Sequence, residues 1–575
     1  MKRSFLLMVA VLIPVVLFAQ AAKLAPELQK TAGNQPMSVI VQYKSTSLSG
    51  QSSVTSLQGV RVTGQLSVIN GVRAIVPAGS LAALAADSKV AYVSPDRPVR
   101  GSLNNAAIAV VANYAWGIGL DGSSIGVALI DSGIHAVDDV KTTAGGSRIL
   151  AGFDYTGEGG DDLYGHGTHV AGIIGGNGTD SRCATCNVTI KGIAPNVNLV
   201  SFKVLNSQGV GTESAVIQAI QSAIQLKATY NIRVINLSLG HPVFESYKLD
   251  PLCQAVEQAW KAGIVVVASA GNGGRDNTFG SAGYGMIESP GNDPSVITVG
   301  ATNTNGTPDR GDDVMTSYSA KGPTAIDHIV KPDIVAPGNR IVSLSAPAWL
   351  ETTYPQNRVP LSYYQTGGLG DPSPSYFVLS GTSMSTAMVS GAVALMLQKD
   401  ATLTPDQIKA RLMKTAYKGL ERYATIIDNG TTFNVQADVF TVGAGYLDVQ
   451  AALLNKEKAP GVAKSPVAAL DAASGNAYFV ADMQTPWGQA AYWNRLPGAT
   501  PLTTWDSATV WGPAAFVSGA PPSGNSAMWG SSAMWGNSAM WGNSAMWGNS
   551  AMWGNSAMWG NSATWGNQVM VNGDN

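Results

Sequence analysis

The stretch "SIGVALID" (124–131) runs apolar from Ile125 to Ile130 and stops on Asp131. No polar residue alternates with the apolar ones, so neither face of this segment suits water. Such a run is expected of a strand buried on both faces of a parallel sheet. "VNLVSFKVL" (197–205), "IRVINLSLG" (232–240), "GIVVVASAGN" (263–272) and "SVITVGA" (295–301) repeat the pattern. Helical periodicity lies between them. In 212–225, Val216, Ala219, Ile220, Ala223 and Ile224 share one face, and in 249–262 Cys253, Val256 and Trp260 do so. Strand alternating with helix predicts an α/β layered fold. In such sheets the reactive groups gather where strands end and helices begin.

The 575 residues leave room for two or three domains. A net charge of −2 with 13% charged residues gives no electrostatic case for nucleic acid. Lys2 and Arg3, an apolar run from Phe5 to Phe18 and the small residues Ala19 and Ala21 read as a signal peptide, residues 1–21. The run is short for a membrane span, and no later stretch reaches 18 apolar residues, so no span is expected in the mature chain. Of the three cysteines, Cys183 and Cys186 are read as a small disulfide staple and Cys253 as buried and unpaired.

Residues 37–98 read as a small α+β unit. It has strands at 37–44, 60–69 and 72–78, a short helix at 79–90 and a strand at 91–95. Residues 456–480 carry no clear period and read as a linker. From 481 to 575 a six-residue repeat, "NSAMWG", dominates, with tryptophans at 529, 535, 541, 547, 553, 559 and 565. Trp487, Trp493, Trp505 and Trp511 fall on the same six-residue grid. An even period would put every Trp of an extended strand on one side. Both β repeats and a low-complexity tail stay open as readings.

Three stretches carry reactive groups at element ends. "VALIDSGI" (127–134) puts Asp131 at the end of a strand. "GHGTHVAGIIGG" (165–176) puts His166 at the start of a helix, with Gly165 and Gly167 beside it. "SGTSMSTAMVSGAVALML" (380–397) puts Ser383 at the head of an apolar helix. Taken singly, each has a bland reading: a turn residue, a helix start, an N-cap. Together they supply a nucleophile, its base and the acceptor that orients the base. "ASAGNGG" (268–274) ends a strand with Asn272, whose amide can donate to an oxyanion together with the Ser383 backbone N–H. Zinc hydrolysis is disfavoured: H-E-x-x-H chemistry needs a glutamate where this chain has Gly167.

With these motifs, "KVLNSQGVGT" (203–212), "INLSLG" (235–240), "PSVITVGA" (294–301), "KPDIVAPG" (331–338) and "GAGYLDVQAAL" (443–453), the chain resembles the subtilisin-like serine proteases over about 106–455. The resemblance implies a largely parallel seven-stranded sheet flanked by helices, and peptide-bond hydrolysis through an acyl-enzyme. It implies Asp131 as orienter, His166 as base and acid, Ser383 as nucleophile and Asn272 as oxyanion donor. Ser238, Leu239 and Gly240, with Gly209, Val210 and Gly211, match the segments that bind substrate backbone, a mode in which main-chain pairing gives affinity.

The chain then divides into a signal peptide (1–21), an inhibitory propeptide (22–103), a protease domain (104–455), a linker (456–480) and the repeat tail (481–575). Maturation is expected near 96–108, with Arg100 a candidate cut. The propeptide would be an intramolecular inhibitor, and proteins or peptides the substrates. His169, one turn on from His166, is expected to pack rather than react.

Two departures from the family pattern stand out. Ala387 replaces a usual proline four residues after Ser383. "NGTDSRCATCNVTIKG" (177–192) replaces a loop that often binds calcium in relatives, so structural calcium is allowed but no ligand set is assigned. No cofactor is required for the chemistry. Counting back from Pro290, Glu288 falls near the floor of the first specificity pocket, where an acid would favour Lys or Arg. The main reading is a secreted endopeptidase, cell-surface attached if the tail adheres. The alternatives are a narrow-specificity processing protease and a Trp-repeat surface-binding protein on a subtilase scaffold.

Overall fold

The computed structural model describes residues 23–25, 28, 36–44, 59–66, 69–95, 103–277, 281–367, 370–428, 430–471, 476–480, 482–488, 504–505, 507–511 and 573–574. The signal-peptide reading and the repeating tryptophans from Trp529 onward lie outside them. The chain forms two compact units, Met1–Arg100 and Gly101–Asn575.

In the first unit β1 (Pro36–Tyr43), β2 (Arg61–Leu66), β3 (Gly71–Pro77) and β4 (Val90–Pro95) form one antiparallel sheet in the order β2-β3-β1-β4. Helix α1 (Leu81–Ala86) precedes β4. Alternation in β1 and β3 sends Val39, Val41, Val72, Ala74 and Val76 inward, where they pack with Leu81 and Leu84 of α1. This is the α+β pattern expected of residues 37–98.

The second unit is built on β5 (Gly126–Asp131), β6 (Ile149–Asp154), β7 (Asn198–Lys203), β8 (Ile232–Leu237), β9 (Val265–Ser269), β10 (Ile297–Asn303), β11 (Val314–Met315) and β12 (Ile334–Pro337). Seven of these run parallel, in the order β6-β7-β5-β8-β9-β10-β12. The eighth, the two-residue β11, pairs antiparallel with the end of β10. Every residue of β5 and β9 is buried, as their unbroken apolar runs require.

Helices close both faces of the sheet. Helix α2 (His166–Gly175) and helix α5 (Thr382–Lys399) are buried almost throughout, while α3 (Glu213–Gln225) and α4 (Pro251–Lys261) bury one stripe each. Their starts are chemically marked. Thr212 caps α3, and Asp250 accepts the Leu252 and Cys253 N–H groups ahead of α4, whose first residue is Pro251. Helix α6 (Pro405–Thr415) begins with a capping box between Thr404 and Gln407.

Beneath the sheet three charges share one buried cluster. Lys331 Nζ lies 2.7 Å and Lys409 Nζ 3.2 Å from the two oxygens of Asp333. Lys409 also donates to the Pro294 and Val296 carbonyls and to Ser465 Oγ, so its ammonium is fully partnered.

The described part of 456–480, expected from sequence to be a linker, carries hydrogen bonds to the body. Ser465 bonds Asp333 and the Pro294 carbonyl, Val462 pairs with Gln484, and β13 (Ala468–Asp471) pairs antiparallel with β14 (Asn476–Phe479). The aperiodic sequence reflects an extended strap whose backbone bonds go to other segments. Trp487, Trp505 and Trp511 pack with Phe479 in one cluster. Three tryptophans on the six-residue grid are therefore core residues here.

Cys183 and Cys186 form a disulfide and Cys253 is a buried free thiol. Burial raises the Cys253 pKa, which makes it an inert packing residue. Among the described residues no helix is long and apolar enough to cross a membrane.

Candidate active site

Strands β5, β8 and β9 end at the same edge of the sheet, and each delivers a site residue: Asp131, Ser238 and, one turn past Ser269, Asn272. Helices α2 and α5 begin there with His166 and Ser383.

Asp131 and His166 are brought together. His166 Nδ1 lies 2.7 Å from Asp131 Oδ1, and both side chains are almost wholly buried. The glycines beside His166 make the approach feasible. A Cβ at Gly167 would sit 2.2 Å from the Gly133 carbonyl, and Gly165 holds φ +100°. Burial alone would lower the His166 pKa, but the Asp131 charge and hydrogen bond outweigh it, and the net shift is upward from 6.5.

Helix α2 begins without a side-chain cap from its own N-cap residue, Gly165. Asp162 supplies the missing acceptor: it takes N–H groups of Gly165 and Thr168 and the hydroxyls of Thr168 and Ser132. Ser132 Oγ in turn accepts the Gly167 N–H. This second carboxylate fixes the turn that carries His166. It carries no signal of its own in the sequence, since an Asp in a turn ahead of a helix is ordinary.

His169 is buried, with Nε2 between the Ile341 and Phe377 carbonyls at 3.1 and 3.2 Å. Two acceptors require a proton on that nitrogen. Burial and the neighbouring His166 hold its pKa down to about 3. It is the packing residue expected.

Ser383 is the second residue of α5, where backbone N–H groups have no partner within the helix. Its hydroxyl lies 3.2 Å from the Ser238 carbonyl, and Ser238 Oγ donates back to the Ser383 carbonyl at 2.9 Å. A buried chain continues behind it. Asn236 Nδ2 bonds Ser238 Oγ, and Ser390 Oγ bonds Asn236 Oδ1. These positioning residues were not found from sequence, because none is informative outside the fold. His166 Nε2 is buried and makes no hydrogen bond among the described residues. The serine hydroxyl is thus turned to Ser238 rather than His166 in this state. Catalytic hydrogen bonds of this kind commonly tighten only when substrate arrives.

Asn272 Oδ1 accepts the N–H and the hydroxyl of Thr382, which fixes the amide orientation with its nitrogen end beside Gly381. Ala387 is the sixth residue of α5 rather than part of its first turn.

The two segments expected to bind substrate backbone, 238–240 and 209–211, are both closely packed. Ser238 touches Ser383 as described, and a Cβ at Gly240 would meet Glu288 Oε2 at 2.9 Å. A Cβ at Gly271 would meet the Glu288 carboxyl carbon at 2.7 Å. Glu288 is thus lodged between the segments that end in Gly240 and Asn272, 6% exposed. Gly209 packs on the Tyr164 ring, where its missing side chain is required, and the turn closes through Asn206 and the Val210 carbonyl. Gly211 lies against the Val204 carbonyl. Tyr164 stacks on Trp349 at 5.7 Å.

No calcium ligand set is assigned in the 177–192 loop. Arg182 donates to the Asn177 carbonyl, the Asn177 side-chain oxygen is taken by Thr179, and the disulfide occupies the turn. Elsewhere among the described residues, ligand atoms of Glu213, His241 and Asp250 lie within 4.8 Å of one another. Asp250 is already engaged there by the α4 N-terminus and by Ser289.

A carboxylate-oriented imidazole, a hydroxyl at a helix head and an amide donor can together perform acyl transfer to serine. Comparison with known proteins points to the same class. The Subtilase family matches residues 122–445. Serine protease AprX of Bacillus subtilis (strain 168) is 35% identical over 352 residues, 59% of this chain and 72% of that protein. Subtilisin DY of Bacillus licheniformis is 36% identical over 299 residues, 52% of this chain and 85% of its own length. Subtilisin E of Bacillus subtilis (strain 168) is 30% identical over 421 residues, 72% of this chain and 89% of that protein. The chain belongs to the Subtilase family, and it is a serine endopeptidase.

Proposed function

We propose that the chain is a secreted, autoprocessed zymogen whose mature form cleaves peptide bonds through an acyl-enzyme on Ser383. The observation that carries this is the 2.7 Å bond between buried Asp131 and His166 at the edge of the sheet where Ser383 heads α5. His166 Nε2 takes the Ser383 proton as Oγ attacks the scissile carbonyl. The resulting oxyanion is held by Asn272 Nδ2 and the Ser383 N–H. His166 then gives the proton to the leaving amine, and water repeats the sequence to release the acid. Only protein groups are used.

Substrate lies extended between Ser238–Leu239–Gly240 and Gly209–Val210–Gly211. The placement of Glu288 favours a Lys or Arg side chain at the cleaved residue, since a cation there would pair with a carboxylate otherwise confined by two glycine segments. This supports selective cleavage over broad degradation. Residues 22–103 act as the inhibitory propeptide, released by a cut near 96–108, and residues 1–21 direct export.

The test is expression of the full chain and of Ser383→Ala, with the N-terminus of each product sequenced. The proposal expects a shortened active product from the first and an unprocessed chain from the second. Equal processing of both would contradict it.

A further inference from the structure

Gly573 and Asp574 follow the Trp repeats, yet they are buried in the catalytic unit, and Asp574 is 0% exposed. Every polar contact of Asp574 is directional. Arg275 Nη2 lies 2.7 Å from Oδ1, the Ser317 N–H donates to Oδ2 at 2.8 Å, and the Ser317 hydroxyl donates to Oδ1. Asn339 reads the backbone with both ends of its amide. Its Nδ2 donates to the Asp574 carbonyl at 2.9 Å, and its Oδ1 accepts the Asp574 N–H at 2.8 Å. A Cβ at Gly573 would come within 2.1 Å of Asn339 Oδ1 and 2.4 Å of Ser380 Oγ, at φ +63°, so only glycine fits ahead of the aspartate.

The receptor side is itself held in place. The Arg275 guanidinium is also paired with Asp428, bonded to Ser317 Oγ and stacked over Phe433. Its elements adjoin the reaction centre: Arg275 lies three residues beyond Asn272, and Ser380 three before Ser383.

We propose that Arg275, Ser317, Asn339 and Ser380 form a recognition site for a glycyl-aspartyl segment, and that its occupant is Gly573–Asp574 of the same chain. On the near side of the repeats, Trp511 sits in the cluster with Trp487 and Phe479, and Lys418 Nζ bonds the Val510 carbonyl. The chain is therefore held on the catalytic unit both before the repeats, at Val510–Trp511, and after them, at Gly573–Asp574 beside the turn that leads to Ser383. A cut within the repeats would leave both pieces attached.

Hydrogen–deuterium exchange of the full chain tests this, with Ser383→Ala as background to prevent self-digestion. The readout is the Ser317 amide, whose N–H is bonded to Asp574. Asp574→Asn and, separately, Gly573→Ala are expected to speed its exchange about tenfold or more, with the amides of β5 unchanged. Unchanged exchange at Ser317 in both variants would overturn the proposal.

Discussion

His166 Nδ1 and Asp131 Oδ1 stand 2.7 Å apart with both side chains shielded from water. An imidazole so placed holds its proton more tightly, above the ordinary value of 6.5. Only the neutral ring can accept the serine proton, so the acid limb of kcat/KM is expected above pH 6.5. Asp131→Asn should move that limb down and lower kcat by about 10⁴-fold. Folding is linked to the same proton. A raised folded pKa contributes stability that is fully present below pH 6.5 and is lost as pH rises through the folded value. Asp131→Asn should flatten that part of the stability curve, measured as Tm against pH.

Asn272→Ala removes one oxyanion donor while leaving the Asp131–His166 pair intact. Steady-state kinetics should show a fall of about 10²–10³ in kcat with KM little changed. A change confined to KM would assign Asn272 to binding instead.

Gly167 has no room for a methyl group against the Gly133 carbonyl. Gly167→Ala should push α2 away from the Asp131 turn and cost about 1–3 kcal/mol. Denaturant unfolding would show the lower midpoint, and activity should fall with it because the His166 ring is displaced.

Asp333 pairs with both Lys331 and Lys409 in a fully buried cluster, where burial pulls the Lys409 pKa down to about 7. Asp333→Ala leaves the buried Lys331 and Lys409 without their shared carboxylate and should destabilise the second unit by about 3–5 kcal/mol. Below its lowered melting temperature, kcat per folded molecule should stay close to that of the parent.

Glu288→Ala should lower cleavage after Lys and Arg relative to cleavage after aromatic residues. A peptide library gives the comparison directly. Equal ratios in parent and variant would remove Glu288 from the specificity pocket.

Much of this was legible in the sequence, for physical reasons. β5 and β9 had to be apolar on both faces, so their residues formed unbroken runs. Asp131, His166, Asn272 and Ser383 stand at element ends among glycines, a pattern that survives without coordinates. Asp162, Asn236 and Ser390 do not show in the sequence, because a cap or a hydroxyl relay is ordinary until neighbours from distant segments are in place, and Ser238 is legible only as part of a backbone-binding segment. The strap at 456–480 was read as a linker because its hydrogen bonds go to remote partners and impose no period. The docking of Asp574 was invisible for the same reason: Arg275, Ser317 and Asn339 are scattered along the chain and converge only in the fold.

The most direct measurement is mass spectrometry of the mature enzyme after treatment with a fluorophosphonate. The account predicts a single adduct on Ser383, lost in His166→Ala, with peptidase activity falling in step with labelling. Full activity in Ser383→Ala, or an adduct on another serine that accounts for the lost activity, would contradict it.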